Sequence, residues 1–537
     1  MKIPVLSDYL KRIKLRKLRV LMRGYRSLKA AGELDRIKLI KEELASTPLF
    51  KLQKKSSKLI FGAGLNQTEL IIRQYLLIRV ADLKFNKALL YAIGRPEKKL
   101  GYALPPEWLA IVRKQGFKVS GFWSAVYWNV FLLKMIAYGL VKFCQVLAES
   151  VGLIFKDKPK FGRYVFFCDI GKNNLPVSKK DANSYDIITW YWQKFGNSKN
   201  LDRIGHSAKG TVSGTINGIQ IEKFQSALPP LESLYQVFKL ISWFIIALML
   251  VFIDVFRGRW WHPLIFAESI LAAKARINKP DSLALEYLFH NSGWLYRPLW
   301  TYEAKKRGSE ISLYFYSTNI ETFKRPEGYV LQANNWNLIN WPHYLVWDKY
   351  HATFIEKFKG PEANISIVGP IWFQSSSTEL PPLPERSVAV FDVQPMRDAF
   401  YETLGIDFEY YTPLVCNQFI RDISEALKKN DGTLVYKRKR KMGKLIHYKY
   451  RNLLTKLDAH SCFIGIDADI PAQKVIEHCS AVISMPFTST ALLAKQSGKP
   501  SVFYDPNGLI QKDDRAAHGI RVICGPKELN DWLLSVL

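Results

Sequence analysis

The sequence has no cysteine framework: Cys144, Cys168, Cys416, Cys462, Cys479 and Cys524 are scattered along 537 residues with no CxxC spacing. That excludes a zinc ribbon or a disulfide scaffold and fits a reducing cytosol. Acid is also scarce, with 47 Asp and Glu against 77 Lys and Arg. The only DxD-like pair after a strand is Asp467-Ala468-Asp469, so neither a metal nor another cofactor is expected. Met1 to Leu21 offers no unbroken apolar core before a small-residue cleavage site, which argues against a secretory signal and for a protein inside the cell. A spanning helix needs about 20 apolar residues. Leu240–Phe256, LISWFIIALMLVFIDVF, falls a little short and is interrupted by Asp254.

Charge and aromatic rings are what the chain has in excess. The formal net charge of +30 attracts nucleic acid, anionic lipid or phosphorylated ligands. The 31 Phe, 26 Tyr and 15 Trp suit a wet interface. Tyr9 to Leu44 reads as a basic amphipathic helix, which either attaches to an anionic membrane surface or docks on its own protein. Phe122 to Phe155 mixes aromatic and charged residues as an interfacial helix does. Leu240–Phe256, followed by Arg257, Arg259, Trp260 and Trp261, resembles an interface anchor; it reads as a monotopic or re-entrant helix, a span or a core helix.

The remainder alternates strands and helices, the pattern of parallel α/β sheets. Short strands are expected at Arg163–Ile170 and Tyr185–Tyr191, then a regular series from Ala284–Phe289 to Ile365–Val368. A Pro-rich connector, Leu380 to Pro384, marks a boundary, and six strands follow from Val388 to Ile523. The organisation expected is a helical region over 1–160, an α/β domain over 161–375 with a hydrophobic insertion at 236–262, and a second α/β domain over 385–537. Tandem domains of this kind place a ligand cleft between the carboxyl ends of their strands.

Several residues carry candidate chemistry. Pro486-Phe487-Thr488-Ser489-Thr490 runs from a strand into a helix start, where exposed N–H groups and hydroxyls suit a phosphate; a simple helix cap would use the same residues. In Lys437-Arg438-Lys439-Arg440-Lys441, strand alternation sends Lys437 and Lys439 to one face. Asp392, Gln394 and Pro395 end the first strand of the second domain. In the first domain Glu286, His290, Asn291, Ser292, Arg297, Tyr302 and Glu303 crowd one strand–helix turn. His290 or Glu303 is a candidate base for an acceptor hydroxyl, with Asp392 next, while Asn291, Ser292, Arg297 and Tyr302 are candidates for holding the acceptor.

The segment VISMPFTSTALLAKQSGKPSVFYDP, with NSGWLYRPLWTYEAKKRGSEISLYFYSTN and VFDVQP, resembles the bacterial polysaccharide-biosynthesis proteins named for their PFTS motif. The same C-terminal arrangement is similar to that of GT-B transferases using CMP-activated sugars, the capsule Kdo transferases and bacterial sialyltransferases. Those carry a Gln-Pro pair, here Gln394-Pro395, and a Ser/Thr-bearing helix start, here Thr488 to Thr490; their His-Pro pair is replaced by Tyr436-Lys437-Arg438. The resemblance implies a GT-B-like fold of two Rossmann-like domains and a glycosyltransferase of capsule, O-antigen or lipopolysaccharide synthesis. It also implies a nucleotide-sugar donor, a glycan or lipid-linked acceptor, and work at the cytoplasmic face of the inner membrane, peripheral or monotopic. A non-catalytic assembly factor and a nucleic-acid-binding protein are the rivals. No recognition module for nucleic acid accompanies the basic run.

Overall fold

The computed structural model of the chain describes residues 32–33, 35–49, 59–60, 62, 68–154, 162–177, 185–318, 321, 323–326, 328–329, 335–396, 410–443 and 446–537. Most of the expected helix Tyr9–Leu44 lies outside the described residues. Its end falls in the helix Asp35–Ser46, which buries Ile37, Ile40 and Leu44 and packs on the helices Thr68–Arg79 and Pro106–Lys114. That part docks on its own protein.

Two sheets organise the chain. The first contains β1 (Tyr164–Phe167), β2 (Arg203–His206), β3 (Gly214–Ile216), β4 (Ile219–Lys223), β5 (Glu286–His290) and β6 (Glu310–Tyr314). A separate hairpin of β7 (Lys324–Arg325) and β8 (Gly328–Tyr329) follows, then β9 (His343–Val346) and β10 (Ile365–Ile367) complete the sheet. Its order is β10-β9-β6-β5-β1-β2-β4-β3, parallel except at β3. The second contains β11 (Ser387–Phe391), β12 (Thr433–Lys437), β13 (Phe463–Ile466), β14 (Ala481–Ser484), β15 (Ser501–Asp505) and β16 (Arg521–Cys524). Its order is β13-β12-β11-β14-β15-β16 and every pair is parallel. In both sheets the order reverses beside the first strand, between β1 and β5 and between β11 and β14. Doubly wound sheets open a crevice at that point.

The strands read as continuous apolar runs because helices cover both faces. SVAVF in β11 and AVIS in β14 are buried at every position. The helix Pro413–Lys429 shows the complementary pattern, burying Val415, Phe419, Ile423 and Leu427 along one stripe. Thr412 caps it through the Val415 N–H, and Pro413 supplies a preset first turn. The expected strand Tyr185–Tyr191 is instead the start of a helix, Ile187–Phe195. Its β-branched and aromatic residues favour a strand, but the Asp186 carboxylate accepts the Thr189 N–H at 2.8 Å and Thr189 hydroxyl at 2.9 Å, fixing a helical turn.

Three long helices form a layer beside the first sheet. Gly121–Ile154 and Leu234–Phe256 both lie on Trp261–Ile277. Phe143 stacks on Phe244 at 3.6 Å, and the Phe266 ring occupies the space over Gly139 that a side chain would need. Asp254, which interrupts the apolar run, is buried and paired with His262 and Arg259. Its charge is therefore met inside the protein.

Gly139→Ala places a methyl group against the buried Phe266 ring. We expect destabilisation of roughly 1–3 kcal/mol from overpacking, read as a lowered melting temperature with unchanged helix content by circular dichroism. An unaltered melting temperature would show that this layer is loosely packed.

Candidate functional site

The two carboxyl edges meet. Ser489, just beyond β14, accepts the Thr318 N–H at 2.9 Å and lies 3.1 Å from the Ser317 hydroxyl, both just beyond β6. Asp348, beyond β9, pairs with His518 at 2.8 Å. Arg515 pairs with Glu321 and lies over the Tyr329 ring at 3.9 Å. These contacts set the switch point of one sheet towards that of the other, which is the GT-B-like arrangement.

On the first sheet, His290 ends β5 beside β1. Its Nδ1 accepts the Ser292 N–H at 3.3 Å, so the proton sits on Nε2, which donates to the Asp169 carbonyl at 3.2 Å. Asp169 follows β1 in the left-handed conformation, φ 57°, which turns its carbonyl to this position. Burial lowers the His290 pKa, the Asp169 carbonyl and carboxylate opposing, so the imidazole is neutral near pH 7 with Nδ1 as its basic atom. Tyr316 and Phe373 stack at 4.2 Å beside the ring, and Tyr316 bonds the Ser292 hydroxyl at 2.8 Å. The Asn291 side-chain oxygen and the Tyr314 hydroxyl are buried here without a hydrogen-bond partner.

The same turn does not gather all its polar residues. Arg297 is buried, bonds Thr301 through Nε at 2.9 Å and stacks on Tyr302 at 3.8 Å. Tyr302 accepts from Asn340 at 3.1 Å. Both knit the helix Trp300–Lys306 to its neighbours inside the protein. Glu303 points to the opposite end of the strands, paired with Arg276 at 3.2 Å and Lys306 at 3.1 Å. Two cations thus pair with its carboxylate, whereas His290 Nδ1 meets only the long Ser292 N–H contact. Glu286, at the start of β5, is likewise tied to Lys199, Tyr191 and Ser312.

On the second sheet, Asp392 follows β11 beside the start of the Met485–Thr490 loop. It is buried and accepts from Tyr436 at 3.1 Å and from Tyr450, whose hydroxyls are 2.5 Å apart. Burial raises its pKa to about 6 against the opposing pull of both tyrosines. Enclosed in this way it supports the floor and is not a free base. Lys437 is buried too, donating to the carbonyls of Arg438 and Ala468, and burial lowers its pKa to about 8. The strand ends there, so the alternation expected through Lys439 does not continue. Arg438 and Lys441 pair with Asp458 and Asp469, while the exposed Lys439 lies within the field of Asp392. Asp467 caps its own turn through the Asp469 N–H.

Gln394 reaches the Arg440 carbonyl at 3.1 Å, drawing the basic loop over β11, and the Pro395 carbonyl accepts the His447 N–H. The Nδ1 of His447 is buried and unpartnered. Pro486 and Phe487 are interior residues: Tyr411 donates to the Pro486 carbonyl at 2.8 Å and Phe487 packs on Phe323 and Phe503. Phe487 holds φ 64°, a left-handed conformation that such packing must stabilise. The hydroxyl of Thr488 turns back to the Met485 carbonyl at 2.8 Å, and that of Thr490 to Ser484 at 2.9 Å. Sequence reasoning missed Tyr316, Phe373, Asp169 and His447, because aromatic residues and a lone His near strand ends look like core until the sheets are assembled.

The raised Asp392 pKa makes the native state bind a proton that the unfolded chain has released. Wild-type stability should therefore fall as pH rises from about 4 to about 6 and then level off. The fall is roughly 2–3 kcal/mol, because each tenfold change in proton affinity is worth about 1.4 kcal/mol. Asp392→Asn should flatten that window. The measurement is melting temperature against pH for both proteins, and parallel curves would contradict it.

Among solved structures, the wall teichoic acid polymerase TagF aligns with this chain at 13% identity and TM-score 0.38, over 75% of this chain and 89% of that one. The glycosyltransferase of kitacinnamycin aligns at 12% and 0.35, over 70% and 91%. The UDP-GlcNAc 2-epimerase from Methanocaldococcus jannaschii aligns at 7% and 0.35, over 70% and 91%. No curated protein matches the chain. The family described as polysaccharide biosynthesis PFTS motif protein matches residues 238–533, which hold β5, β6, β9 and β10 of the first sheet and all of the second sheet. With more than half of its length matched, the chain belongs to the polysaccharide biosynthesis PFTS motif protein family.

Proposed function

We propose that the chain is a glycosyltransferase of bacterial surface polysaccharide synthesis, taking a sugar from a nucleotide-activated donor to a glycan or lipid-linked acceptor. The observation that carries this reading is the approach of two switch points across the Ser489–Thr318 bridge, with a neutral imidazole on one side and a basic loop on the other. Family membership supports the pathway.

In this reading the donor lies on the second sheet, between the Thr488–Thr490 turn and the loop held by Gln394. Lys439 supplies positive charge for the phosphates, with Lys437 fixing the strand end beneath. Such preset charge stabilises a departing nucleotide. Gln394-Pro395 is compatible with a CMP-linked sugar, and His447, beside it, would meet the same ligand. The acceptor lies on the first sheet against Tyr316, Phe373, Asn291 and Ser292. Its hydroxyl displaces the long Ser292 contact and gives its proton to His290 Nδ1 as its oxygen bonds the anomeric carbon and the sugar–phosphate bond breaks, the bonding pair leaving on the nucleotide phosphate. We place the work at the cytoplasmic face of the inner membrane, in capsule, O-antigen or lipopolysaccharide assembly.

The test has two parts. CMP-, UDP-, GDP- and dTDP-sugars are screened for thermal stabilisation, and one nucleotide class should raise the melting temperature by mass action. Lys439→Ala and Thr490→Ala should weaken that shift in folded protein. With the matched donor and acceptor, His290→Ala should lower kcat by about 10²-fold or more while donor affinity holds. Selective donor binding without turnover in any acceptor mixture would favour a non-catalytic assembly factor. Salt-sensitive polyanion binding with no nucleotide selectivity would favour the nucleic-acid reading.

A further inference from the structure

The three-helix layer has a face that no part of the described chain covers. On Gly121–Ile154 the buried residues form one stripe, Ser124, Trp128, Leu132, Ile136 and Gly139, turned to Trp261–Ile277. Away from it stand Phe122, Trp123, Tyr127, Val130, Leu133 and Val141, all exposed. Leu234–Phe256 repeats this with Phe238, Ile245, Ile246, Met249, Phe252 and Ile253. A soluble helix puts charge on such a face, and a monomer rarely exposes a continuous apolar area this extensive.

The polar groups around it fit a bilayer surface. Lys142 lies over the Tyr138 ring at 5.5 Å and Lys239 over Tyr235 at 5.9 Å, the same i,i+4 pair on each helix. In both, the ammonium sits over the ring in a cation–π contact, which keeps a positive charge beside the apolar face. Arg257 and Arg259 stand at the far end with Trp260, which meets Trp128 at 5.7 Å. The excess positive charge of the chain suits anionic headgroups.

The packing also fixes how the layer sits relative to the sheet. Arg276, near the end of Trp261–Ile277, pairs with Glu303 and accepts from Arg307, at the amino ends of the strands. Earlier on that helix, Glu268 accepts from Tyr296 at 2.9 Å, in the loop beyond β5. The helices therefore run alongside the strands, with Trp123, Phe256 and Trp260 at the carboxyl end that carries His290. Helices held lengthwise against a folded domain lie in a membrane plane and do not cross it.

We propose that the faces of Gly121–Ile154 and Leu234–Phe256 form one pad that lies flat on an anionic bilayer, with the Trp123–Phe256 end bringing the His290 edge to the lipid boundary. This rests on the membrane location in the proposed function and specifies its surface, lipid charge and orientation. The full chain is mixed with phosphatidylcholine vesicles, with or without phosphatidylglycerol, and sedimentation and Trp quenching by acyl-chain bromines at graded depth are read. Binding should need phosphatidylglycerol. The Trp123 contribution, taken as wild type minus Trp123→Phe, should be quenched by shallow bromines. Ile246→Glu with Phe252→Glu, and separately Val130→Glu with Leu133→Glu, should each weaken binding about tenfold or more; two independent pairs guard against one misfolding. Retained binding in both folded pairs, strongest quenching by the deepest bromines, or a dimer in vesicle-free buffer that either pair dissociates would overturn the pad. Nucleotide-sugar stabilisation is measured in the same variants: its absence counts against the transferase alone, and vesicle binding is unaffected by that result.

Discussion

The hydroxyl of Ser489 and the backbone of Thr318 join at 2.9 Å across the gap between two sheets, and the rest of the site depends on what that contact aligns. Each sheet reverses its strand order beside its first strand and so opens a crevice at its carboxyl edge. The Ser489 bridge, with Asp348–His518 and Arg515–Glu321 further out, holds the two edges against each other.

Burial then sorts the polar residues of this space by task. Asp392, between two tyrosines, is enclosed, and its charge is disfavoured. Lys437 donates hydrogen bonds to two carbonyls and secures a strand end. His290 remains half-buried, neutral and aimed by the Asp169 carbonyl. The same sorting works on the outer layer, where Asp254 is paired inside with Arg259 and His262 while Lys142 and Lys239 stay at the surface over tyrosine rings.

Period and punctuation made much of the fold legible. Short, mostly apolar runs such as AVIS, alternating with helical segments, fit parallel strands under helices, and a Pro-rich connector separates the two series. The PFTS segment was readable as a strand leading to a helix start, and His290 as a polar residue at a strand end. At Tyr185–Tyr191 propensity favours a strand, and one capping carboxylate outweighs it. Arg297, Tyr302 and Glu303 share a turn with His290 in sequence, but Arg297 bonds Thr301 and the helix Trp300–Lys306 carries Tyr302 and Glu303 to other partners.

By itself, then, the sequence determined the α/β class, the series of strands and helices from Ala284 onward, the excess positive charge and the two apolar helices. Those properties are local, set by periodicity and composition within some twenty residues. Only the tertiary structure decided which polar groups meet. Asp169 and Phe373 lie more than 80 residues from His290 on either side, and Ser489 lies 171 residues from Thr318. Only the assembled sheets also show that the two apolar helices lie along the protein, because the direction of a helix is fixed by the surface it packs on and not by its own residues.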